Sequence, residues 1–315
     1  MIEALIVGAG VSGLSCGIRL REAGIAAQIW ARDMPARSTS SVAAAVWYPY
    51  KAYPEHLVIG WARTTYDELM VLRHDPASGI HVRNGHEIFP WQVDEPWWSG
   101  AVPSYRRITP AELPAGYRDG YVFEAPVIEM PIYLDYLRQR FEALGGTIEP
   151  RTLASLDQAL GASDLVVHCS GLGARLLAAD STVFPIRGQI VRVTQVALDT
   201  FVLDDYGPSG MAYIVPRSSD CILGGTADEG MEDMAPDLST AEAIQARCRA
   251  LEPRLGAAVV LEHKVGLRPG RPTVRLEREQ LAGGKLLIHN YGHGGAGVTL
   301  SWGCAADVAR LIAQA

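Results

Sequence analysis

The chain has 315 residues, 48% of them hydrophobic and 20% charged, the balance of a globular protein with core enough for one large domain or two ordinary ones. Its net charge of −7 comes without any basic block or aromatic–basic stripe, so neither nucleic acid nor an anionic membrane is an expected partner. The five cysteines, Cys16, Cys169, Cys221, Cys248 and Cys304, are scattered and contain no C-x-x-C. That pattern indicates neither a zinc knuckle nor a disulfide framework, and it fits a reducing cytoplasm. No apolar run has the length of a membrane span, and "MIEALIVGAG" lacks the basic region and cleavage site of a signal peptide.

The chain opens on strand, turn and helix. Ile2 to Val7 are predicted as a strand; Val11, Leu14 and Ile18 then repeat at helical spacing, and Gly24 can close the helix. "AAQIWA" follows as a second strand, completing the β-α-β of a doubly wound sheet. Residues 56–72 are predicted helical, with Leu57, Trp61, Thr65, Leu69 and Leu72 on one face. From His74 to Pro126 the chain is rich in Pro, Gly and Trp and predicts strands and loops of another domain. "MPIYLDYLRQRFEALGG" returns to helix, with Pro131 in its first turn, Leu134, Leu137, Phe141 and Leu144 on one face, and Gly145 at its end. "DLVVHCSGLGA" predicts a buried strand running into a glycine turn. "IRGQIVRVT", "MAYIVPR" and "CILGGT" predict antiparallel strands. Ser239 and Glu242 match a capping box for a helix carrying Ile244, Cys248 and Leu251. "AVVLEHKVGLRP" and "KLLIHN" are the last strands, before a glycine-rich run and a final helix. The expected fold is α/β. A Rossmann-like domain is built from 1–54, 124–182 and 262–315, and a mostly antiparallel β domain with helices from 55–123 and 183–261.

"GAGVSG" is G-x-G-x-x-G at Gly8, Gly10 and Gly13. The glycines serve the tight turn, the approach of a pyrophosphate and the packing of helix on strand, with the helix N-terminus facing the phosphates. Asp33 lies 20 residues beyond Gly13, where an acid holds ribose hydroxyls. Arg32 beside it leaves NADP open, because an arginine there could take a 2′-phosphate. In "STSSVAAAVWYPY" the hydroxyls, Ser40 among them, can reach phosphate, and the small residues Ala43 to Ala45 permit close approach to a flat ring; a turn with a capped helix accounts for the composition equally well. "HNYGHGGAGVTLSWGCA" places four glycines, Gly292, Gly294, Gly295 and Gly297, just before a helix. Such a density of residues without Cβ suits a backbone that something approaches closely.

These motifs together resemble the D-amino-acid oxidase family of flavoproteins, which includes D-aspartate oxidase. The resemblance covers nearly the whole chain: "VGAGVSGLS", "VAAAVWYPY", "VVHCSG", "RGQI", "AYIVPR", "LGGT", "VGLRPGRPTVRLERE" and "HNYGHGGAGVTLSWGCA". It implies non-covalent FAD, held by Gly8, Gly10, Val11, Ser12, Gly13, Arg32, Asp33, Ser40, Ala44, Ala45, Val46, Leu153, Ser170, Gly171, Gly294, Gly295, Ala296, Gly297, Val298 and Thr299. Arg268 matches the arginine that grips the substrate carboxylate, which suits the two parallel hydrogen bonds of a guanidinium. Without the resemblance nothing separates it from Arg271 or Arg275. Tyr213 matches the tyrosine that shares that carboxylate, and the Gly295 carbonyl the group that orients the substrate amine. The final helix would point its positive end at the flavin. His289 and His293 are expected as hydrogen-bonded scaffold, and no acid or cysteine joins them at ligand spacing, so no metal is expected.

The implied reaction removes hydride from Cα of a D-amino acid to flavin N5. It yields a 2-oxo acid, ammonia and hydrogen peroxide, with oxygen as the second substrate. Tyr48 stands where related D-aspartate oxidases carry a histidine, so with Tyr50 it favours neutral or aromatic side chains. Arg217, four residues after Tyr213, shares its face on a regular strand, which would favour D-aspartate or D-glutamate instead; an exposed strand end is the expected reading. Two departures from eukaryotic members point to a bacterial-type cytoplasmic enzyme: "DDYGPSGM" lacks a matching lid tyrosine, Tyr206 notwithstanding, and "LIAQA" lacks a peroxisomal tripeptide. A glycine oxidase, a flavin dehydrogenase and a non-catalytic flavin or NADP sensor are the rival functions. The preferred substrate and the assembly, monomer or homodimer, are not legible.

Overall fold

Alternation of apolar residues sets the first sheet. In the computed structural model, which describes residues 3–314, Ala4 and Ile6 face one side of strand Glu3–Val7, and Leu5 and Val7 the other. Ile2 of the predicted strand lies outside the described residues. Both faces are covered, as a parallel sheet requires. The sheet runs Arg275–Gln280, Leu286–Tyr291, Leu165–His168, Glu3–Val7, Ala26–Ala31, Thr147–Pro150, all parallel except the first. Helices Val11–Glu22, Met130–Ala143 and Gly297–Ala313 bury their apolar stripes in the core against one face. Leu153, Leu156 and Ala159 close the other.

A second sheet of nine strands stands beside it. Its path is Asp228–Glu229, Phe184–Thr194, Asp220–Gly224, Ala212–Pro216, Thr200–Asp204, Ile80–Phe89, Asp119–Ile128, Tyr105–Arg107, with Val260–Gly270 also paired to Phe184–Thr194. Only the pairing of Ile80–Phe89 with Thr200–Asp204 is parallel. Helix Leu238–Leu251 packs on this sheet through Ile244 and Cys248.

Several local expectations are corrected. Strands Asp119–Ile128 and Val260–Gly270 of the second sheet run through positions 124 and 262, the latter with a register shift between Val260 and Glu262. Helix Glu55–Leu72, expected with the substrate half, packs against the C-terminal helix. Trp61 Nε1 donates to Asp307 Oδ2 at 2.8 Å, and the Gly303 N–H to Thr65 Oγ1 at 3.0 Å. Its buried stripe is Val58, Trp61, Ala62, Thr65, Tyr66, Leu69 and Leu72, which leaves Leu57 exposed. The cap of helix Leu238–Leu251 is Asp237, which accepts from the Thr240 N–H at 2.6 Å; Ser239 donates to Asp237 instead of capping.

Candidate active site

The parallel register aligns Val7 with His168 and His168 with His289, so the loops leaving these strands emerge at one edge. Ligands of open α/β sheets bind in the crevice outside that edge. Here a cavity of about 1150 Å³ is lined by Gly8, Gly10, Arg32, Asp33, Ser40, Ser170 and Gly294 and also by Tyr213 and Arg268 of the second sheet. Of the expected cofactor residues, Gly8, Gly10, Val11, Ser12, Arg32, Asp33, Ser40, Ala44, Ala45, Val46, Leu153, Ser170, Gly171, Gly294, Gly295, Gly297, Val298 and Thr299 line it. Gly13 and Ala296 stand behind that wall.

The site has the shape and charge for a dinucleotide. Gly8 has φ +112°, and a Cβ on Gly13 would overlap the Gly8 carbonyl, so the turn closes only with glycine at both. Helix Val11–Glu22 begins at Gly10 with no side-chain cap and no acid in its first turn. Apart from the Val11 N–H, its first N–H groups and positive end therefore face the cavity without a side-chain partner among the described residues, as an anion site requires. Helix Gly297–Ala313 likewise starts without a side-chain cap or an acid. Ser40 Oγ accepts from the Val11 N–H at 3.1 Å and fixes the 38–42 segment over the turn. Arg32 donates to Asp33 at 2.8 Å, so the acid and its rival are one exposed pair at the wall.

At the second sheet the three arginines of "RPGRPTVRLER" separate. Arg271 Nε binds Asp180 Oδ2 at 2.9 Å, and Arg275 binds Tyr291 Oη at 2.7 Å together with Glu277 and Glu279. Arg268 has no carboxylate partner among the described residues; its Nη1 donates to the Thr226 carbonyl at 3.0 Å. It lies flat on its neighbour strand, where a Cβ on Gly188 would overlap its guanidinium. Tyr50 Oη is buried without a partner among the described residues, and burial pushes the Tyr50 and Tyr213 hydroxyls above the ordinary tyrosine range, so both remain protonated donors. Gly295 joins them: a Cβ there would stand 2.8 Å from Tyr50 Cδ1 and 3.6 Å from Arg268 Cδ.

The remaining expectations divide. Tyr48 lines the cavity, but its hydroxyl binds Glu87, and its backbone exchanges hydrogen bonds with Thr299 Oγ1 at 3.2 and 2.9 Å. Arg217 is corrected: it is buried, not exposed, and pairs with both oxygens of Asp220 at 2.6 and 2.7 Å, outside the cavity. Pro216 ends the strand before it, so the alternation that would have put Arg217 beside Tyr213 stops there. His293 lines the cavity, bonded to Asn290 Oδ1 at 3.0 Å, and burial pulls its pKa down to about 4. His289 lies 3.2 Å from His168 and 3.4 Å from Glu279. Both histidines are thus engaged with protein side chains. No group of metal-ligating side chains occurs among the described residues. Sequence reasoning missed Leu203, Asp205, Met211 and Val215 in the cavity wall; "LDDYG" carries no signal beyond a turn.

A mixed α/β frame whose glycine turn and Arg268, free of any carboxylate partner among the described residues, face one cavity fits the class of dinucleotide-binding proteins that also take an anion. The family model described as FAD dependent oxidoreductase matches residues 3–311. The chain is 55% identical over 314 residues to the D-amino-acid oxidase of Rubrobacter xylanophilus, covering 99% of this chain and 96% of that one. It is 41% identical to the D-amino-acid oxidase of Streptomyces coelicolor, with 98% and 96% covered, and 37% identical to human D-aspartate oxidase, with 98% and 94% covered. The crystal structure of glycine oxidase from Geobacillus kaustophilus shares the fold, with a TM-score of 0.83 at 20% identity over 100% of this chain and 95% of that one. The chain belongs to the D-amino-acid oxidase family of FAD-dependent oxidoreductases, and FAD is its cofactor.

Proposed function

We propose that this chain oxidises D-amino acids with neutral side chains in preference to D-aspartate and D-glutamate, yielding 2-oxo acid, ammonia and hydrogen peroxide. The observation that carries the reading is the Arg268 guanidinium, without a carboxylate partner among the described residues, in the same cavity wall as the Tyr50 and Tyr213 hydroxyls. An arginine in a wall otherwise rich in apolar side chains needs an anion, and a planar carboxylate matches its fork. The Gly295 carbonyl accepts from the neutral substrate amine, which aims Cα and its hydrogen away from the arginine. When bound, FAD would supply the two-electron acceptor for that hydrogen, with oxygen as the final oxidant. No protein base is assigned, since His293 is engaged with Asn290. The imino product takes up water and releases ammonia.

Tyr48 and Tyr50 line the cavity, and the cation that would have received an acidic side chain, Arg217, is committed to Asp220. Peroxide release measured over a panel of D- and L-amino acids tests the proposal. D-enantiomers with neutral side chains should exceed D-aspartate in kcat/KM, and L-enantiomers should be inert. Highest kcat/KM on D-aspartate would overturn the side-chain reading, and no peroxide from any D-amino acid would overturn the activity.

A further inference from the structure

The second sheet breaks its own ladder just after Gly224. Gly224 pairs with Ile190 and Asp228 with Arg187, so on strand Phe184–Thr194 Gly188 and Gln189 stand opposite Gly225, Thr226 and Ala227. The extra residue takes the backbone out of register, as in a β-bulge. The Thr226 side chain makes bonds that the backbone gives up there. Its hydroxyl accepts from the Gln189 N–H at 3.1 Å and donates to the Arg187 carbonyl at 3.4 Å. The Thr226 carbonyl, turned out of the ladder, accepts from Arg268 Nη1 at 3.0 Å.

Arg268 arrives from the other side of the same strand. It pairs with Ile186, which shares a face with Gly188. Its side chain crosses Gly188, where a Cβ would overlap the guanidinium. The Tyr213 ring lies on the same excursion, because a Cβ on Gly224 or Gly225 would meet it. Thr226 itself stands outside the cavity wall that Arg268 and Tyr213 help to form.

On the reading of Arg268 as the carboxylate clamp, we infer that Thr226 is its positioning residue. A guanidinium is planar, so a hydrogen bond at Nη1 fixes the orientation of the whole fork. Nε and Nη2 have no hydrogen bond among the described residues and are left for a carboxylate. A carbonyl suits this task where an acid does not, since it orients the cation without cancelling its charge; Arg271 and Arg275, each paired with an acid, are the contrast. The hydroxyl matters because one group must accept from Gln189 and donate to Arg187 at once. Without it the excursion loses both anchors, and the carbonyl its fixed place.

Thr226→Val keeps the shape and removes the hydroxyl, and Thr226→Ser keeps the hydroxyl. In the FAD-loaded protein two quantities are measured for each: KM for the D-amino acid oxidised fastest in the panel above, and the Kd of propionate, a carboxylate without an amine, by calorimetry. Thr226→Val should raise both about 10-fold, the scale of a hydrogen bond lost from a buried polar group. Its kcat should stay within about threefold of wild type, since the clamp holds ground state and transition state alike. Thr226→Ser should restore both constants to within about threefold of wild type. Unchanged constants in Thr226→Val overturn the inference, as does a fall in kcat alone, or a rise in Thr226→Ser equal to that in Thr226→Val. If Thr226→Val does not retain its FAD absorbance, Thr226→Ala, which adds no bulk, is measured in its place. If no variant without the hydroxyl retains FAD, the hydroxyl serves the fold and the inference fails. Arg268→Leu separates the two layers: propionate bound there as in wild type defeats the clamp itself, whereas weakened binding there with none in Thr226→Val defeats this inference alone.

Discussion

Arg268 is told from its neighbours by what it lacks. Arg271 and Arg275 sit three and seven residues further on with the same chemistry, and each has an acid within 2.9 Å. Replacing Arg268 by leucine leaves the bound carboxylate without its partner, a loss of roughly 2–5 kcal/mol for a buried charged pair. The expected result is a fall of roughly 30-fold to several thousand-fold in kcat/KM with FAD still bound. Arg268→Lys should recover part of it, because an ammonium cannot make the two-pronged contact. Steady-state kinetics with flavin absorbance as the occupancy check decides the matter. Arg271→Leu is the control and should keep its kcat/KM. Loss of activity in that variant, with Arg268→Leu active, would move the carboxylate clamp out of Arg268.

Between elements, Asp180 joins three separate stretches of chain. It accepts from Arg271 Nε and from Tyr291 Oη, each at 2.9 Å, next to its local bonds with Thr182. Burial works to raise the Asp180 pKa, but the bonds from Thr182, Arg271 and Tyr291 outweigh it and hold the carboxyl well below the ordinary aspartate range. A depressed folded pKa stabilises above the unfolded value of about 4 and is lost as pH falls through the interval beneath it. Asp180→Asn should therefore lower Tm at pH 7, and the gap to wild type should narrow as pH is lowered from 5 to 3. Thermal melts across that range test it; a gap that stays constant would show that the charge of Asp180 contributes nothing. This knot also explains why Arg271 belongs to stability: it ties the end of one strand segment to the sheet that carries Tyr291.

For the whole molecule, the cavity exists only where two sheets meet. The first contributes the glycine turn and the start of the final helix, and the second contributes Arg268, Tyr213 and Asp205. A ligand bound across both should stabilise them together, since it binds the folded state alone. The purified protein is expected to be yellow, to release FAD into the supernatant on heat denaturation, and to lose several degrees of Tm when the flavin is removed. All five cysteines are buried and free, and Cys169 alone of them lines the cavity. Flavin that stays with the denatured pellet would contradict non-covalent binding.

What the sequence alone determined was local. A β-α-β turn needs glycine where Gly8 has positive φ and where Gly13 meets a carbonyl, so "GAGVSG" announced its own geometry. Helix Met130–Ala143 was legible because Leu134, Leu137 and Phe141 recur at the helical period and Gly145 ends it with φ +83°. The family resemblance reached Arg268 and Tyr213, but nothing in "RPGRPTVRLER" says which arginine is free. For Arg271 that depends on an acid 91 residues away, Asp180, whereas Glu277 and Glu279 lie on Arg275's own strand at alternate positions and so share its face. Arg217 went to Asp220 across the short turn that joins strands Ala212–Pro216 and Asp220–Gly224. Periodicity is a property of neighbours along the chain, whereas ion pairing and cavity walls belong to neighbours in space, and those only the tertiary structure decided.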